Sequence, residues 1–507
     1  MTPHHRLATP NSRLPTFLVL VVAAGIPRIV GAFLIRKEPF GDAYCYIEQA
    51  VATRAKIVAG TFSINDLYGF WLPLYQFFCS IISLVVNQPV YVGRLVSAVA
   101  GIGVCVLVYC CSYILTSSQR LSLIVALAIA LNPFHLQYSS AAMTDIPHAL
   151  MVLGCLYFVL TERWTLAACA GAAACLIRLD SWMLIALVPT IQLVRRRKLP
   201  ILSPLILASA PAFWLIVCWR ATGSPLASFH AHDYYVLLRL TAHPELNKIT
   251  LARTWVDAYS LVYAANVAVL SGCFAAVWLL FQKWRKGAAD TSPAKLKDLL
   301  ICLLFFFGYV GFISTAYLTK NQSDIWPRYG LLHFAIGLPI LAYSMQQVLN
   351  SSSALAKVGL AVVLALGLMQ YKKQADDLAS FWGTPERSRA IASYLKQEYA
   401  ADPSIKVYCD HPEVRVVSGI PRSQFYDSYS NGGAPRDRKG FLEFLRTRGI
   451  TFLMIPQESE GSTPRQLFPN LMKDPVVGFE DVIPAADSAA DSLYRVRIEK
   501  LPPSGGD

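Results

Sequence analysis

The sequence predicts a mainly α protein: a polytopic membrane helix bundle of about eleven spans, with a small C-terminal extracytoplasmic α/β domain. Three observations predict it. Of 507 residues, 55% are hydrophobic and only 15% charged, with a mean hydropathy of +0.43, far too little polar surface for a soluble domain. Apolar runs near the length a spanning helix needs recur at 16–35, 90–115, 121–141, 146–161, 164–180, 181–194, 199–219, 255–281, 298–319, 328–347 and 356–371. Beyond residue 372 the composition changes to short strand-like and helix-like segments. The domains are therefore 1–372 and 373–507.

Charge supports the same class. A formal charge of +13 raises the question of nucleic acid. The cations, however, sit in short connections between apolar runs, as the positive-inside rule expects, so no nucleic-acid partner is assigned. Most of the twelve cysteines lie inside apolar runs, where they act as small hydrophobes, and no C-x-x-C occurs.

Met1–Arg13 is polar and basic, and Thr16–Ile35 follows without a small-residue cleavage site, so it reads as an uncleaved first span. The stretch Gly41–Leu74 concentrates acids and aromatics: Asp42, Tyr44, Tyr46, Glu48, Asp66 and Trp71-Leu72-Pro73-Leu74. The next apolar run, Leu72–Val86, opens with Pro73 and carries Gln76, and it is too short to cross. It suits a re-entrant or surface-lying helix within an external loop 36–89. Arg195-Arg196-Arg197-Lys198 and Lys283-Trp284-Arg285-Lys286 mark the cytoplasmic side. Counting from them places 36–89, the Asp145 turn, 220–254, 320–328 and everything after 372 outside. In the tail, Arg387–Tyr399 and Gly440–Arg448 read as helices. Ile405–Tyr408, Val414–Val417, Thr451–Ile455 and Ser492–Ile498 read as strands.

The chemistry-bearing residues gather on the outer side. Asp42 shares its loop with Glu48 and Asp66. Asp145 lies in a short turn with His135, Tyr138 and His148, where Pro147 also suits an N-cap reading. Arg94, Arg178 and Arg328 map to external helix ends, where each can snorkel or meet a phosphate. His230-Ala231-His232-Asp233-Tyr234-Tyr235 reads as a polar loop, and Cys409-Asp410-His411-Pro412-Glu413 as a turn after a strand.

In this order, the acid loop, Trp71-Leu72-Pro73-Leu74, Arg94, the Asn132-Pro133…Thr144-Asp145-Ile146-Pro147 turn, Arg178-Leu179-Asp180-Ser181-Trp182 and Trp326-Pro327-Arg328-Tyr329 resemble the GT-C superfamily of glycosyltransferases. The likeness is best to the protein-mannosyltransferase and aminoarabinose-transferase branch. It implies an integral membrane enzyme of the bacterial inner membrane with an extracytoplasmic active site. That enzyme would move a sugar from a polyprenyl-phosphate donor to a lipid, glycan or protein acceptor by inverting single displacement. The resemblance makes Asp42 the catalytic base; Asp145, the second catalytic candidate, is open to three roles, assisting Asp42, orienting a histidine or holding a divalent ion with Asp42. The substrate-binding candidates are Tyr44, Glu48, Trp71, Arg94, His135, His148, Arg178, Asp180, Arg328 and Tyr329. A divalent ion (Mg²⁺, Mn²⁺ or Zn²⁺) held by Asp42 and Asp145 stays open. Many relatives carry Asp-Glu where Asp42 is followed here by Ala43, which leaves the branch and acceptor open. The rival class, a transporter or flippase of lipid-linked sugars, would show ionisable groups at mid-span in two matched halves, and no internal repeat is visible.

Overall fold

The computed structural model describes residues 14–35, 38–86, 88–197, 200–242, 250–286, 293–319, 325–381, 386–428, 435–456, 462–468, 476–483 and 491–501. Asn87, Lys198 and Lys248 lie outside them. Contacts divide the chain into two units. The first holds the residues to Pro39, Gln49–His230 and Ile249–Trp382; the second holds Phe40–Glu48, Ala231–Lys248 and the chain from Gly383.

The helices run in order α1 (Leu14–Leu34), α2 (Gly41–Val58), α3 (Leu74–Ile82), α4 (Pro89–Thr116), α5 (Gln119–Ala130), α6 (Pro133–Ser139), α7 (Asp145–Leu160), α8 (Trp164–Cys175), α9 (Leu184–Arg196) and α10 (Leu202–Thr222). They continue as α11 (Ala227–Ala242), α12 (Leu251–Ala265), α13 (Val267–Lys286), α14 (Pro293–Leu318), α15 (Gly330–Leu349) and α16 (Ala354–Phe381). Among the described residues seven helices are long and apolar enough to cross a membrane, or eight with the bent pair α5–α6; α7 and α8 are shorter apolar helices. Every segment expected to span is occupied by a helix or a broken helix. The nine residues of α3 extend only about 14 Å, under half a bilayer core.

Local chemistry sets the breaks. Pro133 has no N–H to extend α5, and Asn132 caps α6 by accepting from the His135 backbone N–H at 2.7 Å, so the two helices meet at 63°. The expected span 255–281 is broken at Asn266, whose φ of 67° stops α12. Its side chain accepts from Ala268 N at 2.9 Å and donates to Gly367 O at 3.2 Å, so both polar ends are satisfied. The expected external loop is helical over α2, and the His230–Tyr235 loop is part of α11. Period 3.6 was masked there by polar and aromatic residues on both sides.

A buried guanidinium stabilises the α5–α6 break. Arg28, fully buried in α1, donates to Ala130 O at 2.9 Å, Ile129 O at 3.3 Å and His135 Nδ1 at 2.9 Å. The carbonyls that α5 cannot use internally thus receive a cation in place of water. Gly101 on α4 makes room for it: a Cβ there would lie 2.6 Å from Arg28 Nε and 2.6 Å from Ser139 Cβ.

In the second unit, α17 (Glu386–Ala401) leads into β1 (Val407–Tyr408), α18 (Pro412–Ser418), β2 (Phe425–Tyr426), α19 (Arg438–Arg448), β3 (Phe452–Ile455), α20 (Thr463–Leu467), β4 (Phe479–Ile483) and β5 (Ser492–Val496). The sheet order is β2-β1-β3-β5-β4. The pairs β1–β2 and β1–β3 are parallel, while β3–β5 and β4–β5 are antiparallel. Alternation along the strands splits the core. Val407, Cys409, Phe452 and Met454 pack with Ile391, Leu395 and Val414. Tyr408, Leu453 and Ile455 pack with Phe441 and Leu445. Val414–Val417, expected as a strand, is helical: Pro412 at N1 starts α18 and Gly419, at φ 68°, ends it.

Candidate active site

The sequence candidates fall into three groups. In the first unit, Arg178 N-caps a short 3-10 turn, Leu179–Met183, between α8 and α9. Its Nη1 donates to Asp145 Oδ1 at 3.1 Å and its Nε to Asp180 Oδ2 at 3.1 Å. Asp145 opens α7 and Asp180 opens the 3-10 turn, so both carboxylates sit at helix starts. His148 Nε2 lies 3.3 Å from the other Asp180 oxygen and 2.6 Å from Ser181 Oγ. Ser181 Oγ in turn lies 2.8 Å from Tyr309 OH on α14. The Arg178 guanidinium is 5.3 Å from the centre of the Tyr329 ring, and that of Arg328 is 5.7 Å from the same ring. His333 Nδ1 holds the Tyr329 carbonyl at 2.8 Å. Five candidates separated in sequence (Asp145, His148, Arg178, Asp180 and Tyr329) are thus brought together with Arg328. Ser181, Tyr309 and His333 join them without having been singled out.

The two acids and two guanidinium groups balance in charge. Asp145 is 5% exposed and already engaged by Arg178, so its geometry is that of a group orienting a guanidinium. Among the described residues no three His, Cys, Asp or Glu side chains gather to hold a metal ion. With a guanidinium 3.1 Å from Asp145, the residues do not fit a cation cage there.

The second group is bound up in packing. Arg94 Nε donates to Glu38 Oε1 at 2.6 Å, and its Nη1 caps Ala32 O at 3.1 Å and Ile35 O at 2.7 Å, closing the end of α1. The other Glu38 oxygen accepts from Ala142 N at 2.8 Å, ahead of α7. Neither side chain is more than 5% exposed. His135 clasps Arg28 as described, and Trp71 stacks edge-on to Phe70 at 4.6 Å. Asp66 closes its own turn by accepting from Ser63 N at 2.8 Å, and its contact with Lys56 holds its carboxyl below the usual range.

The third group lies in the second unit, on the first turns of α2. Asp42 is half-buried in the first turn. Tyr44 and Glu48, four apart and on one face, both meet side chains of α18. Tyr44 OH donates to Glu413 Oε1 at 2.9 Å. Glu48 receives Arg415 through both oxygens at 3.3 and 3.2 Å, and Arg422 Nε at 3.1 Å. Arg415 also faces Asp427 at 3.5 Å. Burial works to lower its pKa, yet the Glu48 and Asp427 carboxylates hold it raised. Cys45, beside them, is pushed up to about 12 by burial and so is not an available thiolate. Asp410, at the end of β1, accepts from Ser428 N at 2.6 Å, Ser428 Oγ at 2.8 Å and Ser462 Oγ at 2.6 Å. Burial still raises it to about 6. Glu413 and Arg415 could have been suspected from the Pro412-Glu413 helix start. Nothing local announced their partners on α2.

Among the described residues, the chain combines seven or more membrane-length helices, two short apolar helices and a C-terminal α/β unit. Two solved structures share this fold: ArnT from Cupriavidus metallidurans bound to undecaprenyl phosphate, with a TM-score of 0.58 at 13% identity, covering 98% of this chain and 100% of that one, and the same protein in its apo state, with a TM-score of 0.56 at 12% identity, covering 96% and 98%. Arabinofuranosyltransferase AftD from mycobacteria is more distant, with a TM-score of 0.45 at 14% identity over 94% of this chain and 41% of that one. No family model matches the chain, and no curated protein matches it in sequence.

Proposed function

We propose that the chain is a glycosyltransferase that takes a sugar from a polyprenyl-phosphate donor and places it on a lipid, glycan or protein hydroxyl at the extracytoplasmic face of a bacterial inner membrane. The observation that carries this reading is Arg178, held between Asp145 and Asp180 on a bundle with the fold of ArnT, a protein solved with undecaprenyl phosphate bound. Departure of a polyprenyl phosphate develops negative charge beside apolar surface. A guanidinium whose direction is already fixed stabilises that charge without reorganising. Arg178 and Arg328 take this role. Asp145 and Asp180 are positioning residues that fix the Arg178 fork, and Tyr329 flanks both guanidinium groups. His148, Ser181 and Tyr309 tie Asp180 to α14 and keep the turn rigid.

Asp42 serves as base. The acceptor oxygen bonds to the anomeric carbon as the carbon–oxygen bond to phosphate breaks. Polyprenyl phosphate leaves with the electron pair, the acceptor proton passes to Asp42, and configuration inverts.

The test is turnover of a labelled polyprenyl-phosphate sugar by the purified full-length chain. Asp42→Asn should lower kcat roughly 10²–10⁴-fold with folding intact, the usual weight of a positioned base. Near-parental turnover in that variant rejects the assignment. Arg328→Gln should weaken donor use, and unchanged donor KM and kcat would remove it from the site.

A further inference from the structure

Within the second unit, the start of α2 is fastened to α18 by contacts more specific than docking a helix requires. Ala43, Tyr44, Tyr46 and Ile47 are already buried there, each 4% exposed or less. Pro412, at the start of α18, lies against Gly41: its Cγ is 3.6 Å from where a Cβ would stand. Apolar burial is non-directional, so it holds a helix down without fixing its register or rotation. A slip of one residue would move each side chain about 1.5 Å along the axis and about 100° around it. A base tolerates far less, since a displacement of about 1 Å can cost roughly 10²-fold in rate.

Polar contacts set what the apolar ones leave loose. Arg415 presents Nε and Nη2 to the two oxygens of Glu48, at 3.3 and 3.2 Å, a fork that fixes direction as well as distance. Its Nη1 donates to the Cys409 carbonyl just after β1, at 3.1 Å, so the fork is itself tied to the sheet. Arg422 meets Glu48 through Nε at 3.1 Å and also pairs with Asp427, which faces Arg415 at 3.5 Å. Glu48, Arg415, Asp427 and Arg422 thus close a ring of alternating charge. One turn earlier, Tyr44 OH donates to Glu413 Oε1 at 2.9 Å, and Ser388 Oγ donates to the other oxygen of that fully buried acid at 2.9 Å. Burying such groups adds little net stability, because desolvation offsets the attraction; their best attested use is to fix register. Tyr44 and Glu48 share one face of α2, and Asp42 lies about 120–160° round the axis from them, so the clamp grips the helix on the side away from the acid. The carboxyl ends of parallel strands are where open α/β sheets commonly take a ligand. Here the residues that follow β1 and β2 are turned to α2 instead.

We propose that Arg415 and Glu413 are positioning residues for sugar transfer: by fixing the register and rotation of α2 through Glu48 and Tyr44, they set where the Asp42 carboxylate stands. The C-terminal unit thereby acts on the chemistry through the helix that carries the base, and Tyr44 and Glu48 hold that helix rather than the substrate. This role depends on Asp42 being the base.

The purified full-length chain tests it in turnover of an undecaprenyl-phosphate-linked sugar, with hydrogen exchange of residues 41–48 as a readout that needs no substrate. Arg415→Gln should lower kcat about 10–100-fold with donor KM unchanged. It should also speed exchange of 41–48 by about tenfold. Arg415→Lys, which keeps the charge and loses the fork, should fall between Arg415→Gln and the parent. Tyr44→Phe is the milder variant, because Glu413 keeps Ser388; it carries the test if Arg415→Gln does not fold, and kcat should still drop several-fold. Arg495→Gln, which breaks the ion pair with Glu398 in the same unit, should leave kcat unaltered. In the Asp42→Asn background, Arg415→Gln should lower kcat no further, since there is no base left to misplace. An equal loss in both backgrounds would show that Arg415 does not act through Asp42, and overturns the proposal. So does parental kcat in both Arg415→Gln and Tyr44→Phe while Asp42→Asn is inactive. Near-parental turnover in Asp42→Asn would instead reject the base itself, and this role with it.

Discussion

Replacing Arg178 by Met removes the cation that two carboxylates share. Both contacts are 3.1 Å, and the side chains of Arg178, Asp145 and Asp180 are 19%, 5% and 12% exposed, so solvent screens them little. At an effective dielectric constant near 20, each pair is worth about 4 kcal/mol before desolvation is counted. The net loss on breaking a buried pair is about 3–5 kcal/mol, because the abandoned acid stays buried. Arg178→Met should therefore destabilise the protein by that amount. Arg178→Lys should lose about 1.5–3 kcal/mol, since one ammonium cannot reproduce a fork aimed at two acids. Adding Asp180→Asn to Arg178→Met should recover part of that stability, because one of the two stranded charges is then gone while Asp145 keeps its own. Unfolding of the purified protein in mixed micelles, with the four members of the Arg178/Asp180 cycle compared, measures the coupling directly. A coupling below about 0.5 kcal/mol, with Arg178→Met close to the parent, would refute the view that these acids orient the guanidinium.

Glu38→Ala should cost about 3–5 kcal/mol by leaving Arg94 buried without its partner. Glu38→Gln, which keeps an acceptor for Ala142 N, should cost less, and thermal unfolding ranks the two. Gly101→Ala should destabilise by about 1–3 kcal/mol, because its Cβ would press on Arg28 Nε and Ser139 Cβ at 2.6 Å. An unaltered melting temperature would mean that α1 yields freely. For Asp410, a carboxyl raised to about 6 keeps its proton when the unfolded chain has lost it. Stability of the second unit should therefore fall as pH rises from about 4 to 6 and then level off, by about 3 kcal/mol in all. Asp410→Asn should flatten that window, and hydrogen exchange of β1 and β2 in the intact protein reads it out.

Most helices could be placed from the sequence because twenty-residue apolar runs admit few other readings in a membrane protein. Breaks were harder. Pro133 announced one, but Asn266 did not, since its φ of 67° depends on partners on α16 far along the chain. The two-residue strand β2 is set by pairing with β1 rather than by any run of its own. At the site, residue types were readable and roles were not. Asp145, Arg178 and Asp180 stand out singly, while their pairing emerges only when α7 and the turn before α9 meet. Arg94 looks free until Glu38, outside every motif, is found buried against it. Arg28, a lone charge within the first span, was a signal available in the sequence, since such residues demand partners.

α15 carries a consequence for assembly. It forms the core of the least apolar of the seven membrane-length segments, and 83% of that segment's most apolar stretch is buried against other helices. Lipid is a poor solvent for His333, Ser344 and the carbonyl opened by Pro339; neighbouring helices are a better one. The segment therefore gains most of its preference for the bilayer from neighbours already there, α13 above all. Synthesis order matches this need, because α4, α7, α12 and α13 all emerge before it. A chain in which α15 came first would ask the membrane to accept a helix that only the finished bundle can hold.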